Sequence, residues 1–381
     1  MKLAVARQAA FAALLAVERG KWSAEALAEK SLHLDPRDAG LASDIVFGTL
    51  RRRGELDFLI AGYASRPVEK IDTEARIALE MAFYQLRFLD RIPDHAAVND
   101  AVELVRRAGK EKSAAFVNAV LRQSLRDSSR RGQPDMALSI PAWILERWNA
   151  QYGEDTAAGI VRASVERPER YIRVGSAAPP PGAEPTEVPG CYRLPEGDPG
   201  PFRFQDISSQ AVVPLLGLQP GQTFLDLCAA PGNKTAQALE TPLDAIASDT
   251  HESRARMLLV LNIPVAVLDA TKPLPFERKF DRILVDAPCT GTGTFARNPE
   301  IKFRLNKDDI FDLRRKQKAI LRNALAALAP GGQLVYSTCS LEREENEDVI
   351  EASGATIVQT MRRIPGRDAG DGFFAAALRS R

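Results

Sequence analysis

Apolar side chains recur at helical spacing along the first third of the chain: Ala10, Leu14 and Val17, then Leu41, Ile45, Val46 and Leu50, then Ile77, Met81, Tyr84 and Phe88. Residues three or four apart share one face of an α-helix, and few Gly or Pro interrupt them, so this part predicts an all-α unit. It ends at 127–134, where charge, small residues and Pro134 have the composition of an interdomain linker. From Thr223 the pattern changes. Short runs rich in β-formers, TFLDLC, AIASD, VAVLD, DRILVD and QLVYST, alternate with helical stretches such as 308–328. That alternation predicts a parallel, doubly wound α/β sheet. Eight prolines between 175 and 202 deny a backbone donor to most ladders and helices, which predicts a second connector.

At 381 residues the chain is long enough for two or three domains of about 150 residues each. The expected division is 1–127, an all-α unit; 128–202, a linker and shortened pre-catalytic region; and 203–381, the α/β domain. Hydrophobic residues make up 45% and charged residues 27%, which suits a packed core and excludes general disorder. Lys and Arg number 51 against 50 Asp and Glu, so any attraction to nucleic acid must be local. Two uncharged runs, 207–225 and 323–341, are broken by Pro214 and Pro220 and by Pro330-Gly331-Gly332, and neither offers a membrane span. The first twenty residues have a charged start and an apolar centre, yet Arg7 and Glu18 bracket only ten uncharged residues. An amphipathic helix is expected there rather than a signal peptide. Cysteines at 191, 228, 289 and 339 fit neither a metal knuckle nor a disulfide framework, and the expected compartment is the cytoplasm.

Ligands of open α/β sheets bind beyond the carboxyl ends of the strands, so the connections there matter most. TFLDLC runs into Ala229-Ala230-Pro231-Gly232-Asn233-Lys234-Thr235, a small-residue turn where backbone can approach a nucleotide-like cofactor. Asp249 ends the next strand seventeen residues past Gly232, close to the spacing at which an acid reaches a ribose diol. Asp269 ends VAVLD, where it can accept from an adenine amino group, and Asp286 ends DRILVD. Each acid alone also fits a helix cap. Cys289 and Cys339 follow the strands DRILV and QLVY, so parallel strands would deliver both sulfurs to one edge.

These residues resemble the RsmB/Sun (Fmu) family of bacterial rRNA cytosine-5 methyltransferases, within the larger Sun-type RNA methyltransferase group. The matching stretches are LDLCAAPGNKT at 225–235, DAPCTGTGTFARNPEIKFR at 286–304 and STCSLEREENEDVI at 337–350, flanked by QDISSQ at 205–210 and DGFFAAAL at 371–378. The first third resembles NusB-like RNA-binding domains through 42–57, 84–104 and 116–122. The resemblance implies an all-α NusB-like domain followed by a Rossmann-like methyltransferase domain. It implies an S-adenosylmethionine site formed by Cys228, Ala229, Ala230, Pro231, Gly232, Asn233, Lys234, Asp249, Asp269 and Asp286. It implies Cys339 as nucleophile toward carbon 6 of a cytosine, Asp286 hydrogen-bonding or protonating nitrogen 3, and Cys289 assisting product release, with no metal.

The implied substrate is small-subunit (16S) rRNA and the enzyme is expected to be a monomer. Two local basic runs support an RNA surface: 297–322 holds nine Lys or Arg against four acids, and 103–131 holds eight against three. The alternatives weighed are a cytosine-5 methyltransferase of tRNA or other RNA, and a noncatalytic RNA-binding ribosome-assembly factor. A DNA cytosine-5 methyltransferase would use the Pro-Cys thiol and leave the TCS motif unexplained.

Overall fold

The computed structural model describes residues 3–127 and 134–380; the centre of the expected linker, 128–133, with the last two cations of the 103–131 run, lies outside the described residues. In chain order the helices of the first part are α1 (Val5–Glu18), α2 (Ser23–Ser31), α3 (Pro36–Arg51), α4 (Arg53–Ala64), α5 (Thr73–Phe88), α6 (Asp94–Arg107), α7 (Glu111–Arg126), α8 (Ala142–Tyr152) and α9 (Glu154–Val165). Then follow β1 (Tyr171–Arg173), β2 (Glu184–Pro185), β3 (Cys191–Arg193), β4 (Arg203–Phe204), α10 (Ile207–Gln210), β5 (Thr223–Asp226), α11 (Asn233–Ala238), β6 (Asp244–Asp249), α12 (Glu252–Ala255) and β7 (Val265–Val267). The chain ends through β8 (Phe280–Asp286), α13 (Ile301–Arg304), α14 (Lys307–Ala327), β9 (Leu328–Thr338), α15 (Glu347–Glu351), β10 (Thr356–Arg363) and β11 (Phe373–Arg379). Among the described residues no helix is long and apolar enough to cross a membrane.

Packing groups these elements into two units, Met1–Arg167 with Phe295–Arg304, and Pro168–Thr294 with Leu305–Arg381. The compact helical unit therefore extends past the break expected at 127 to Arg167, because α8 and α9 pack with the helical part. In the first unit the anticipated stripes form the core: Ala10, Leu14, Ile45, Val46, Ile77 and Met81 are all buried. Asp35 begins α3 by accepting the Arg37 and Asp38 amides at 2.9 Å, ahead of Pro36 in the first turn. Buried Arg7 ties α1 to α5 and α6 by donating to Gln85 at 2.5 Å and Asp100 at 2.6 Å.

The segment Phe295–Arg304 completes this unit by capping three helix ends. Glu300 accepts from the backbone and hydroxyl of Ser23, at the start of α2, at 2.8 and 3.0 Å. Lys302 donates to the Arg51 carbonyl, at the end of α3, at 2.6 Å. Arg304 donates to Val17 O, in the last turn of α1, at 3.0 Å. An acid at a helix N-terminus and cations at C-termini satisfy orphan backbone groups with the sign that the helix dipoles favour. Phe295 packs on Trp148 with ring centroids 5.6 Å apart. The expectation that 297–322 is one basic RNA surface is corrected here: Lys302 is only 1% exposed and serves α3. Burial holds its amine down to about 7.

A second buried charge set joins α4 and α5. Arg53 and Arg76 both pair with Glu18, at 2.7 and 2.6 Å, and both lie 3.4 Å from buried Glu80. Burial, with the Glu80 charge alongside, pushes Asp57 up to about 8. A proton bound more tightly by the folded chain stabilises it below the folded value, and that stability is lost as pH rises through it. Asp57→Asn, which mimics the protonated acid, is therefore expected to gain melting temperature relative to the native chain as pH rises from about 6.5 to about 8.5. The comparison must be made against the native chain, because Lys302 with its lowered value gains stability from pH 7 upward. Parallel melting curves for the two proteins across that range would exclude this role for Asp57.

In the second unit the proline-rich stretch is not a bare connector. It carries a four-stranded antiparallel sheet in the order β2-β3-β1-β4, with Pro185 on the edge strand β2, where a missing backbone donor is tolerated. The main sheet has the order β10-β11-β9-β8-β5-β6-β7. Its centre, β9-β8-β5-β6-β7, is parallel as expected, but β11 and β10 run antiparallel at one edge, so the sheet is mixed. The expected helix at 308–328 is α14, begun by a reciprocal cap between Asn306 and Asp309.

Candidate active site

From β5 the chain builds outward through β6 and β7, then returns to place β8 on the other side of β5. This reversal of strand order marks the carboxyl edge at which an open α/β sheet binds ligands. Asp226, Asp249, Asp286 and Thr338 are the last residues of β5, β6, β8 and β9. Because Asp286 lies opposite Ser337 in the β8–β9 register, the two cysteine loops leave the sheet side by side. The sulfurs of Cys289 and Cys339 are 3.4 Å apart. The hydrogen bond between the two thiols, together with burial, raises the Cys289 thiol well above its ordinary value.

Asp286 is held from both sides: Lys234 Nζ donates to one carboxylate oxygen and Ser337 Oγ to the other, each at 2.8 Å. Lys234 also lies 4.9 Å from the Phe373 ring centroid. The turn carrying Lys234 is anchored to β6, since Ala229 N donates to Ser248 O at 2.9 Å. Gly232 sits there at φ +103°, where a Cβ would meet Leu258 at 3.0 Å. Arg254 bridges the same two elements, donating to Asp249 at 3.2 Å and to Ala230 O at 2.7 Å. Asp249 is buried and accepts the His251 amide at 3.2 Å. Asp269, beyond β7, accepts the amide and hydroxyl of Thr271 at 3.0 and 2.6 Å, bonds that hold its carboxyl below the usual range. The structure thus gathers the 228–234 turn, Asp249 and Asp286, while the hydrogen bonds of Asp269 serve its own loop. Cys228 lies behind the turn, its thiol pushed up by burial and by Asp226, Asp286 and Asp249.

A family model described as 16S rRNA methyltransferase RsmB/F matches residues 213–357, and one described as NusB family matches residues 4–126. The chain is 33% identical over 411 residues to ribosomal RNA small subunit methyltransferase B of Cronobacter sakazakii, with 95% of each chain covered. The chain belongs to the ribosomal RNA small subunit methyltransferase B family. The probable member from Bacillus subtilis is 32% identical over 398 residues, covering 92% of this chain and 88% of that one. The crystal structure of PH0851 has the same fold, with a TM-score of 0.82 at 24% identity, covering 100% of this chain and 99% of that one. A methyltransferase homolog from Pyrococcus horikoshii covers 65% of this chain and 99% of its own, with a TM-score of 0.55 at 27% identity.

In this member of the family the residue that organises both cysteine loops is one the motif reading passed over. Buried Glu345 accepts from Thr290 N at 2.9 Å, Ser340 Oγ at 2.5 Å, Gln317 Nε2 at 2.9 Å and the Thr290 hydroxyl. Thr290 follows Cys289 and Ser340 follows Cys339, so a single carboxylate holds the residue next to each sulfur. Gln317 of α14 adds a bond to Pro288 O at 2.9 Å, and Asn346 donates to Ser340 O at 2.9 Å. Glu345 stands among Glu342, Glu344 and Glu347, and nothing in the local sequence separates it from them; Glu342 is buried as well, and what sets Glu345 apart is the set of donors that reach it from both cysteine loops.

Proposed function

We propose that this chain methylates carbon 5 of a cytosine in small-subunit rRNA, through a covalent bond between Cys339 and carbon 6. The observation that carries this reading is the pair of sulfurs 3.4 Å apart beside an Asp286 carboxylate paired with Lys234. Family membership supports a methyltransferase acting on small-subunit rRNA. Carbon 5 of cytosine is a poor nucleophile, and adding a thiolate at carbon 6 makes it enamine-like. Cys339 is the attacking sulfur. The Asp286–Lys234 pair can hold a proton at nitrogen 3, stabilising the charge that develops as the thiolate adds. Once carbon 5 is methylated, its proton must leave and the Cys339 bond must break; Cys289, in contact with that sulfur, assists the release.

S-adenosylmethionine, when bound, supplies an electrophilic methyl group. The residues present suit it: Ala229, Ala230 and Gly232 leave backbone accessible around the turn, and Asp249 offers carboxylate oxygens for ribose hydroxyls. Asp249→Ala is expected to weaken cofactor binding by about 1 to 3 kcal/mol, the range for hydrogen bonds to a charged acceptor. Unchanged calorimetric affinity would reject the ribose assignment. The reading as a whole is tested by transfer of labelled methyl to purified small-subunit rRNA, followed by bisulfite sequencing to show a 5-methylcytosine. Label incorporated with no bisulfite-resistant cytosine would overturn it.

A further inference from the structure

We propose that Cys289 and Cys339 form a reversible disulfide under hydroperoxide, making the catalytic pair an oxidative modification site that switches the enzyme off. The proposal rests on the reading of Cys339 as nucleophile, and its first ground is geometric. The sulfurs are in contact at 3.4 Å, and a disulfide needs them about 1.4 Å closer. Both side chains are part-buried rather than sealed, so a small oxidant has access that bulkier groups lack. They sit on separate loops whose next residues, Thr290 and Ser340, are both bonded to Glu345, which keeps the sulfurs together without substrate.

The second ground is the contrast with the other two thiols. Cys191 is 1% exposed, and burial pushes it up to about 11. Burial, and then the charges of Asp226, Asp286 and Asp249, disfavour the Cys228 thiolate. Peroxides react with thiolates, so Cys191 and Cys228 are poor targets, whereas Cys339 has a second sulfur in contact to complete a disulfide. Cys289, in contact with the Cys339 sulfur and with its own thiol raised well above the ordinary value, is the resolving partner.

The chemistry balances with hydrogen peroxide as oxidant. The Cys339 thiolate attacks one peroxide oxygen, the O–O bond breaks and hydroxide leaves, giving a sulfenic acid on Cys339. The Cys289 sulfur then attacks the sulfenic sulfur, and the displaced hydroxide departs as water with the Cys289 proton. Two thiols and one peroxide become one disulfide and two waters. A dithiol reductant returns both thiols by exchange. A resolving thiol in contact is what separates reversible oxidation from onward conversion to sulfinic acid.

The test treats the full-length protein with hydrogen peroxide, alkylates free thiols and maps tryptic peptides. The expected product joins peptide 283–297 to peptide 323–343 with a loss of about 2 Da, while Cys191 and Cys228 remain free thiols. Methyl transfer should fall at least about tenfold and return with dithiothreitol. In Cys289→Ser, the same treatment should carry Cys339 to sulfinic acid that dithiothreitol does not reverse. Recovery of both peptides as alkylated thiols, or of native Cys339 only as sulfinic acid, overturns the proposal. The two readings fail separately: a cross-link in a protein that never methylates rRNA refutes the transfer reading alone, whereas transfer that survives peroxide with no cross-link refutes the redox couple alone.

Discussion

Cys339→Ser is expected to lose at least about a thousandfold in methyl transfer and to form no covalent RNA complex, whereas Cys289→Ser should accumulate one. On the proposed mechanism the two thiols, in contact with each other, act at opposite ends of the covalent cycle. A serine hydroxyl is a far weaker nucleophile at neutral pH than a cysteine sulfur, so addition at carbon 6 effectively stops. Cys289→Ser leaves the attacking sulfur in place and removes the group that assists its departure. The methylated base should then stay on Cys339 and appear as an RNA–protein band that survives denaturing electrophoresis. The double variant should lose that band. An adduct in Cys339→Ser and none in Cys289→Ser would exchange the two roles.

Glu345→Ala should be nearly as damaging although its carboxylate touches neither sulfur. Its removal leaves Thr290 N, the Thr290 and Ser340 hydroxyls and one Gln317 amide proton buried beside a missing acceptor. Each orphaned donor costs about 1 to 3 kcal/mol. The penalties do not add fully, because Thr290 and Ser340 can bond each other across 3.1 Å and Gln317 keeps Pro288 O. A total near 3 to 5 kcal/mol is expected, read as a lower melting temperature. At a temperature where the variant is folded, adduct formation in a Cys289→Ser background should still slow by about a hundredfold, because loops released from Glu345 no longer hold the sulfurs at one edge. Glu345→Gln, which keeps one acceptor oxygen, should recover part of both losses. Adduct formation at the unaltered rate in folded Glu345→Ala would mean that the carboxylate is a structural staple without influence on the thiols.

Much of the architecture was open to reading along the chain. Apolar stripes with period 3.6 announced α1, α3 and α5, and alternating β-rich runs announced β5 to β9, because burying one face of a helix or a whole central strand imposes a local pattern. The placement of Cys289, Cys339, Asp286 and Asp249 at one edge of the sheet was legible because each ends or follows a β-rich run, and parallel strands deliver such positions to the same edge. The small sheet β1–β4 escaped notice. Its strands are two or three residues long, too short to display a period, and their prolines read as linker.

What the order of residues determined by itself was therefore the type of each long element, the edge at which chemistry gathers and the residue types available there. Tertiary structure alone decided which of several equivalent residues acts. Glu345 differs from Glu342, Glu344 and Glu347 only through the donors that converge on it, and Lys302 leaves the basic surface only because the Arg51 carbonyl at the end of α3 needs a partner. Local sequence records a residue's periodicity and neighbours within a few positions. Pairing of polar groups is satisfied across the whole fold, between residues as far apart as 51 and 302, and so becomes visible only when the chain is closed on itself.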